Sequence, residues 1–501
     1  MQQYRHIRRR QQIVGVLVKN GFGYMIQRLG LDKFAPLSGR STLIRFQPEP
    51  DHLLAVKLRQ SLVELGPTFI KLGQVMSTRT DLLPPVYIEQ LELLQDKVPA
   101  LKYEEIVKQL VRELGHPDEI FAEFEQEPLA AASIGQVHMA RLKSGELVIV
   151  KIQRPGIEKI VQNDLEIIIA LARLAERRSL EARRIGVVDM IEDYSRMFLR
   201  ELDYAREARN TERVYHNFAG DRRVVIPRVY WEYTTGKILT EEHLSGVKLS
   251  NLDEIAKRSW DRRKISQLGT EAFLSQIMLH GFFQADPHPG NILVLDEERI
   301  AFIDFGEIGS LTDKRLILIG ELLLSINKQD MDKAMVVLQD MGIVNVNIDI
   351  EDLQEDFADL LKSVSGNIGK LDINRLRKEM MLLAYRYQLK MPAYLTSMMK
   401  ALITVEGVGK KLDPNYDFME TARPLASKIY QERLKPGNLY KMARRKYYQD
   451  IKPLGALPFN FNKLVKNTAD GHLHMNIEID LSPKAHHKIS QLVSRLSASL
   501  I

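Results

Sequence analysis

Between His280 and Gly309 the chain reads HGFFQADPHPGNILVLDEERIAFIDFGEIG. A Gly/Pro-rich loop carries Asp286 and Asn291, five residues apart. An apolar run, Ile292 to Leu295, a polar turn and a second apolar run then deliver Asp304-Phe305-Gly306. The pattern predicts loop, strand, turn, strand, loop, with three oxygen-bearing side chains at the ends. Phosphoryl transfer calls for this set: one carboxylate orients or deprotonates the acceptor hydroxyl, and a carboxylate and an amide oxygen hold magnesium ions on the phosphates. DPHPGN and DFG also serve as ordinary turn sequences. Their order and spacing are what favour a site over two turns.

Asp-x4-Asn followed thirteen residues later by Asp-Phe-Gly has the spacing of the catalytic and metal loops of protein kinases. Gln284-Ala285 stand where a kinase has His-Arg. Upstream, Leu129 to Val137 reads LAAASIGQV and Leu147 to Ile152 reads LVIVKI. Set against Gly-x-Gly-x-x-Gly-x-Val, this puts Ala130 and Ala132 at the first two glycines and Gly135 at the third. Small residues let backbone N–H groups approach phosphate. Alanine lacks glycine's access to positive φ, so the loop is expected to hold nucleotide differently. The expected cofactor-binding stretch is therefore Ala130, Ala131, Ala132, Ser133, Ile134, Gly135, Gln136 and Val137. Lys151 takes the place of the strand lysine on the α- and β-phosphates.

Two helical stretches follow, from Pro155 to about Glu181 and from about Val187 to Phe218. A helical carboxylate facing Lys151 would complete a lysine–glutamate pair. Glu201 is the candidate, with Glu166 as the alternative. Val224 to Leu244 alternates as two strands, and residues 241–246 read as an adenine-side hinge that includes Glu242. After Gly309 a peptide kinase has an activation segment ending in Ala-Pro-Glu. Here Leu311-Thr312-Asp313 starts a helix at once, and no such segment follows. Amphipathic helix continues to about Arg445, with turns expected at Glu406–Gly409 and Leu412–Tyr416.

The N-terminal part is helical, punctuated by Pro67 and Pro84-Pro85. Within it, Lys71, Gly73 and Gln74 interrupt an apolar helix and read on their own as a surface polar patch. Residues 1 to about 30 are basic and then amphipathic. They suit either an anionic membrane surface or a helix packed on the body. The tail has one alternating segment, Met475 to Leu481, and an apolar stretch from Ile489. The domain reading is 1–123 helical extension, 124–243 N-lobe with a helical insert, 244–445 helical C-lobe and 446–501 tail.

The chain has no cysteine, so disulfides and thiolate chemistry are excluded. A net charge of +6, spread widely, gives no call for nucleic acid. No run of about eighteen apolar residues is present, and the apolar stretch from Ile13 ends at Lys19, which excludes a secretory signal. His280 and His288 lack further ligands nearby and read as structural.

KLGQ at 71–74, AAAS at 130–133, VIVKIQRPGI at 148–157, ELDYAREA at 201–208, ADPHPGN at 285–291 and IDFG at 303–306 together resemble the UbiB (AarF) family of atypical kinases. The resemblance covers roughly residues 55 to 420. It implies an α+β, protein-kinase-like bilobal fold with a helical N-terminal extension and a mostly helical C-lobe. Lys71 and Gln74 would face a Glu201–Asp203 pair and block peptide entry. ATP and Mg2+ are the implied cofactors: Asp286, Lys151, Glu201 and Lys71 would do the chemistry, and Asn291 and Asp304 would hold metal. The implied setting is ubiquinone-type biosynthesis or isoprenoid-lipid homeostasis at the cytoplasmic face of a membrane. The partners would be a membrane lipid or quinone precursor and quinone-biosynthesis enzymes, and the acceptor water or a small molecule. Nucleotide-gated lipid binding without phosphotransfer is the alternative, and a protein kinase the remote one. Relatives commonly end in transmembrane helices, so this chain is expected to meet the membrane peripherally or to have been cut before them.

Overall fold

The computed structural model describes residues 2–28, 50–77, 83–94, 99–344, 350–365, 373–387 and 391–418, with 389, 420–422 and 424. The alternating segment expected at Met475, the apolar stretch expected from Ile489 and the last part of the helical stretch expected to Arg445 lie outside the described residues. Contacts divide the chain into Met1–Ile429 and Tyr430–Ile501, and everything below concerns the first unit.

The N-terminal extension folds where proline permits. Pro67 and Pro85 sit in the first turn of helices Pro67–Met76 and Pro85–Leu91, where the missing N–H has no helical partner in any case. Leu62, Leu65, Phe69, Ile70 and Leu72 close a core with Val161, Leu165 and Ile168 of helix Ile157–Arg178 and with Ile191, Tyr194 and Phe198 of helix Val187–Glu201. The extension thus packs on the helical insert of the N-lobe. Tyr194 Oη donates to the Thr68 carbonyl at 2.6 Å. The first helix, Gln2–Leu17, joins the same body: Ile13 and Val16 are buried in it, and Arg9 pairs with the buried Asp164 at 2.8 Å. Of the two readings of this basic stretch, the packed helix is the one found.

Strands β1 (Phe121–Phe124), β2 (Ala130–Ala131), β3 (Gly135–Leu142) and β4 (Leu147–Gln153) lead into a sheet completed by β6 (Ile238–Glu242). Its order is β1-β3-β4-β6, with β2 also paired to β3, all antiparallel. Alternation decides the faces. Val148, Val150 and Ile152 are fully buried under Ile106 and Leu110 of helix Tyr103–Glu113, so Lys151 must point to the other face. Burial of such side chains contributes about 1.5–3 kcal/mol each, which fixes this register firmly.

The expected pair of strands over Val224–Leu244 is only half present. The first part gives the two-residue β5 (Val224–Val225), which pairs in parallel with β10 (Arg299–Phe302) of a different sheet. A short 3-10 turn, Trp231–Tyr233, follows before β6. That second sheet runs β5-β10-β9-β7, with β7 at Val247–Lys248 and β9 at Ile292–Asp296. Strands β8 (Phe282–Gln284) and β11 (Ile308–Ser310) pair separately, joining the two ends of the DPHPGN–DFG stretch. Helices Arg262–Met278 and Ala393–Leu412 pack beneath. The turn expected at Glu406–Gly409 is absent, because the latter helix runs through it to Leu412. A β-carbon on Gly409 would lie 2.4 Å from the Tyr416 ring, so this glycine serves helix–loop packing. The turn after Leu412 is present. Among the described residues no helix is long and apolar enough to cross a membrane. The whole is an α+β, kinase-like bilobal fold with a helical N-terminal extension.

Candidate active site

Lys151 leaves the sheet towards the helix Tyr204–Asn217, and Glu207 meets it there. Nζ and Glu207 Oε1 are 2.5 Å apart, and Glu241 Oε2 is 3.5 Å from the same nitrogen. The pairing of Lys151 with Glu201 is therefore corrected. What read as one helix from Val187 to Phe218 breaks at Leu202-Asp203. Asp203 is extended (φ −93°, ψ 93°) and caps the second helix by accepting from the Ala205 N–H. Glu201 ends the first helix and Glu207 opens the second, so they face different ways. The alternative, Glu166, is exposed on the insert helix.

In the expected hinge the two glutamate side chains part. β6 alternates, and its register with β4 puts Glu241 on the Lys151 face and Glu242 on the opposite one. Glu242 instead accepts from the Arg228 N–H at 3.2 Å, while the Thr211 hydroxyl donates to Glu241 Oε1 at 2.9 Å. Burial pushes the Glu207 carboxyl up to about 7 against the pull of Lys151, and raises Glu241 as well. Burial alone would lower the Lys151 ammonium; Glu207, Glu241 and Asp304 outweigh it and hold Lys151 well above its ordinary value. One cation therefore faces a surplus of carboxylates.

The alanine stretch is a tight hairpin. Ala130 pairs with Val137 and Ala131 with Gln136, and the Ala132 N–H donates to the Gly135 carbonyl at 2.8 Å. Ser133 and Gln136 are buried, the latter accepting from the Leu101 N–H at 2.9 Å, while Ala130 is exposed. Gly135 is needed for close approach: a β-carbon there would lie 2.3 Å from Tyr204 Oη and 2.7 Å from the Ile152 carbonyl oxygen. Arg154, which sequence reasoning passed over, fastens the hairpin by donating to the Ala132 carbonyl at 2.9 Å and the Pro99 carbonyl at 2.6 Å.

The catalytic and metal loops meet as their spacing implies. Asn291 Nδ2 donates to Asp304 Oδ2 at 3.2 Å, and Asp304 Oδ1 accepts from the Gly306 N–H at 3.0 Å. Asn210, one turn beyond Glu207, donates to the Phe305 carbonyl at 3.0 Å and ties the metal loop to the Glu207 helix. Gln284 donates to the Asp304 carbonyl, so its side chain braces the metal loop and does not reach for Asp286. Asp286 is half exposed. His280 packs edge-on against Phe218 with its pKa lowered by burial, and His288 Nδ1 accepts from the Gly290 N–H; both are structural.

Lys71 lies on helix Pro67–Met76 and pairs with Glu201 at 2.7 Å, bridging the extension and the N-lobe insert. Asp203 and Gln74 do not join that pair. Asp203 caps its helix and meets Arg209 at 3.3 Å, and Gln74 donates to the Leu94 carbonyl at 3.3 Å. Gly73 leaves room for Leu62 and Leu94, whose methyls would lie within 2.7 Å of a β-carbon there, so packing offsets its cost of about 1 kcal/mol in a helix.

Among the described residues no group of three or more His, Asp or Glu side chains could hold a metal by itself. Asn291 and Asp304 do fit magnesium, a hard cation commonly held by one or two carboxylates with phosphate oxygens and water completing its shell.

Residues 93–338 match the family model of the ABC1 atypical kinase-like domain, and 362–417 that of the UbiB helical domain. A probable protein kinase UbiB of Pseudomonas aeruginosa is 33% identical over 443 residues, 87% of this chain and 82% of that protein. An uncharacterized Synechocystis protein is 38% identical over 375 residues, 74% of this chain and 64% of its own length. The chloroplastic Activity of bc1 complex kinase 7 of Arabidopsis thaliana is 35% identical over 451 residues, 87% of this chain. The chain spans 64% of the length of each of these last two relatives. A solved Mycobacterium tuberculosis protein in complex with erythromycin aligns with a TM-score of 0.49 and 24% identity, over 70% of this chain and 90% of that one.

Proposed function

This chain belongs to the UbiB family of ABC1 atypical kinases, and on that premise we propose that it binds ATP with magnesium and passes the γ-phosphoryl group to water or a small molecule. The observation that carries this reading is the run of contacts from Lys151 through Glu207 to the DFG loop and on to Asn291. Lys151 holds the α- and β-phosphates, the hairpin Ala130–Val137 covers them, and Asp286 orients or deprotonates the acceptor. Asn291 and Asp304 hold magnesium, which supplies positive charge to the phosphate oxygens when bound.

A peptide acceptor is disfavoured on two grounds. Only Leu311 and Thr312 separate β11 from helix Asp313–Asn327, so no peptide-docking segment follows the metal loop. The Lys71–Glu201 pair also binds the extension to the N-lobe insert, just ahead of the helix that carries Glu207. The acceptor is taken to be membrane-borne, with quinone or isoprenoid-lipid metabolism as the setting that the family resemblance supplies.

The test follows the γ-phosphate of labelled ATP with purified protein, magnesium and liposomes made from lipid extract. Label in free phosphate or in an extractable organic ester supports the reading. Label on protein overturns the argument against a peptide acceptor.

A further inference from the structure

Phosphoryl transfer brings two anions together. The carboxylate that handles the acceptor must come close to a γ-phosphate of like sign, and that repulsion has to be offset by positive charge on the same side. Beyond the magnesium that Asn291 and Asp304 would hold, the loops that build this site bring no cationic side chain to Asp286: Gln284–Asn291 and Ile303–Gly309 contain neither lysine nor arginine. His288 does not fill the gap, since its Nδ1 is turned back onto the Gly290 N–H. Lys151 is paired with Glu207 and Glu241 and, on the reading above, serves the α- and β-phosphates.

Among the described residues a cation does reach Asp286, and it comes from the C-terminal helical region. Lys400 Nζ lies 3.5 Å from Asp286 Oδ2 and 4.0 Å from Glu307 Oε2. Asp286 and Glu307 are neighbours because the Ala285 N–H donates to the Glu307 carbonyl at 2.9 Å, next to the β8–β11 ladder. Lys400 thus stands where the catalytic and metal loops adjoin. Its placement is rigid: Ala401 and Val405 of the same helix are buried against Phe273 and Phe283, and Phe283 lies on β8, directly ahead of the catalytic loop. A half-exposed ion pair of this kind adds little stability, so the fold itself does not require a lysine here.

We propose that Lys400 is a positioning residue for the phosphotransfer reading above, on which this rests: it aims the Asp286 carboxylate and screens it from the γ-phosphate. The helical region of the chain then contributes directly to the site, and the charge that the DPHPGN loop lacks comes from more than one hundred residues downstream.

The experiment measures binding of a non-hydrolysable ATP analogue and of ADP, each with magnesium, to the full chain, and takes the ratio of the two affinities. Lys400→Met should lower the triphosphate-to-diphosphate ratio about tenfold, while ADP affinity stays close to wild type. Lys400→Arg should restore most of the ratio. In an Asp286→Asn background the repulsion is already gone, so Lys400→Met should change the ratio by less than about twofold. An unchanged ratio in Lys400→Met, or an equal fall in both backgrounds, overturns the assignment while leaving the phosphotransfer reading standing. A wild-type protein that binds neither nucleotide overturns both.

Discussion

Two lysine–glutamate pairs lie at this site, and their glutamates are six positions apart in the chain. Lys151–Glu207 is closed at 2.5 Å and Lys71–Glu201 at 2.7 Å, with all four side chains mostly buried. Distance and burial hardly distinguish them. Their surroundings do. Lys151 shares its charge among Glu207, Glu241 and Asp304, and burial, with Asp304 and Glu241 beside it, pushes Glu207 up. Its partners come from a helix, a strand and the metal loop, so it joins the parts that would meet phosphate on the proposed reading. Lys71 instead links the N-terminal extension to the end of the insert helix. A buried ion pair says little about role until its other neighbours are counted. On the proposed reading, the first pair then serves the chemistry and the second governs what is allowed near it.

The largest expected difference between the pairs is in stability and nucleotide binding. Lys151→Met leaves two or more buried carboxylates uncompensated and should cost about 3 kcal/mol in denaturant unfolding, with loss of Mg·ADP binding by titration. If Lys71→Met cost as much, the distinction would collapse. Gly135→Ala sharpens the comparison from the side of the first pair. Its β-carbon meets Tyr204 Oη and a backbone carbonyl, and about 1–3 kcal/mol of destabilisation is expected, partly relieved by Tyr204→Phe.

A third prediction uses pH. The folded Glu207 pKa, about 7, lies above the ordinary value of 4.5, so the folded state binds the extra proton between these limits. The stability of the metal-free protein should therefore fall as pH rises from about 4.5 to about 7, and the fall should be smaller in Glu207→Gln. Unfolding curves across that range that coincide for both proteins would remove the special character of the first pair. The smallest stability effect is expected for Lys71→Ala, about 1–2 kcal/mol, because one carboxylate and not a cluster loses its cation, together with altered ATP affinity or turnover. Should affinity and turnover both match wild type, the role given to the second pair fails.

The sequence made the site's two loops legible because their chemistry is local: Asp286, Asn291 and Asp304 lie within nineteen residues. Lys151 was legible because a buried strand must turn a lysine to its open face. Proline placed the helices of the extension. What stayed hidden depends on partners far along the chain. A one-residue break at Asp203 does not disturb helical periodicity, so Glu207 was passed over for Glu201. Glu241 and Glu242 differ only by strand register, which their own stretch does not reveal. β5 looked like half of a hairpin because its partner, β10, lies about seventy-five residues downstream. Arg154 and Lys400 carry no local pattern at all.

The account stands or falls on whether the Asn291–Asp304 junction is a phosphate-transferring centre. The most direct measurement is magnesium-dependent loss of the γ-phosphate from ATP, wild type against Asp304→Asn, with ADP binding by both proteins measured alongside. The expected result is turnover in the wild type that falls by about a hundredfold or more in the variant while a folded protein is retained. Equal rates in the two proteins, or no rate in a wild type that binds Mg·ATP, would contradict it.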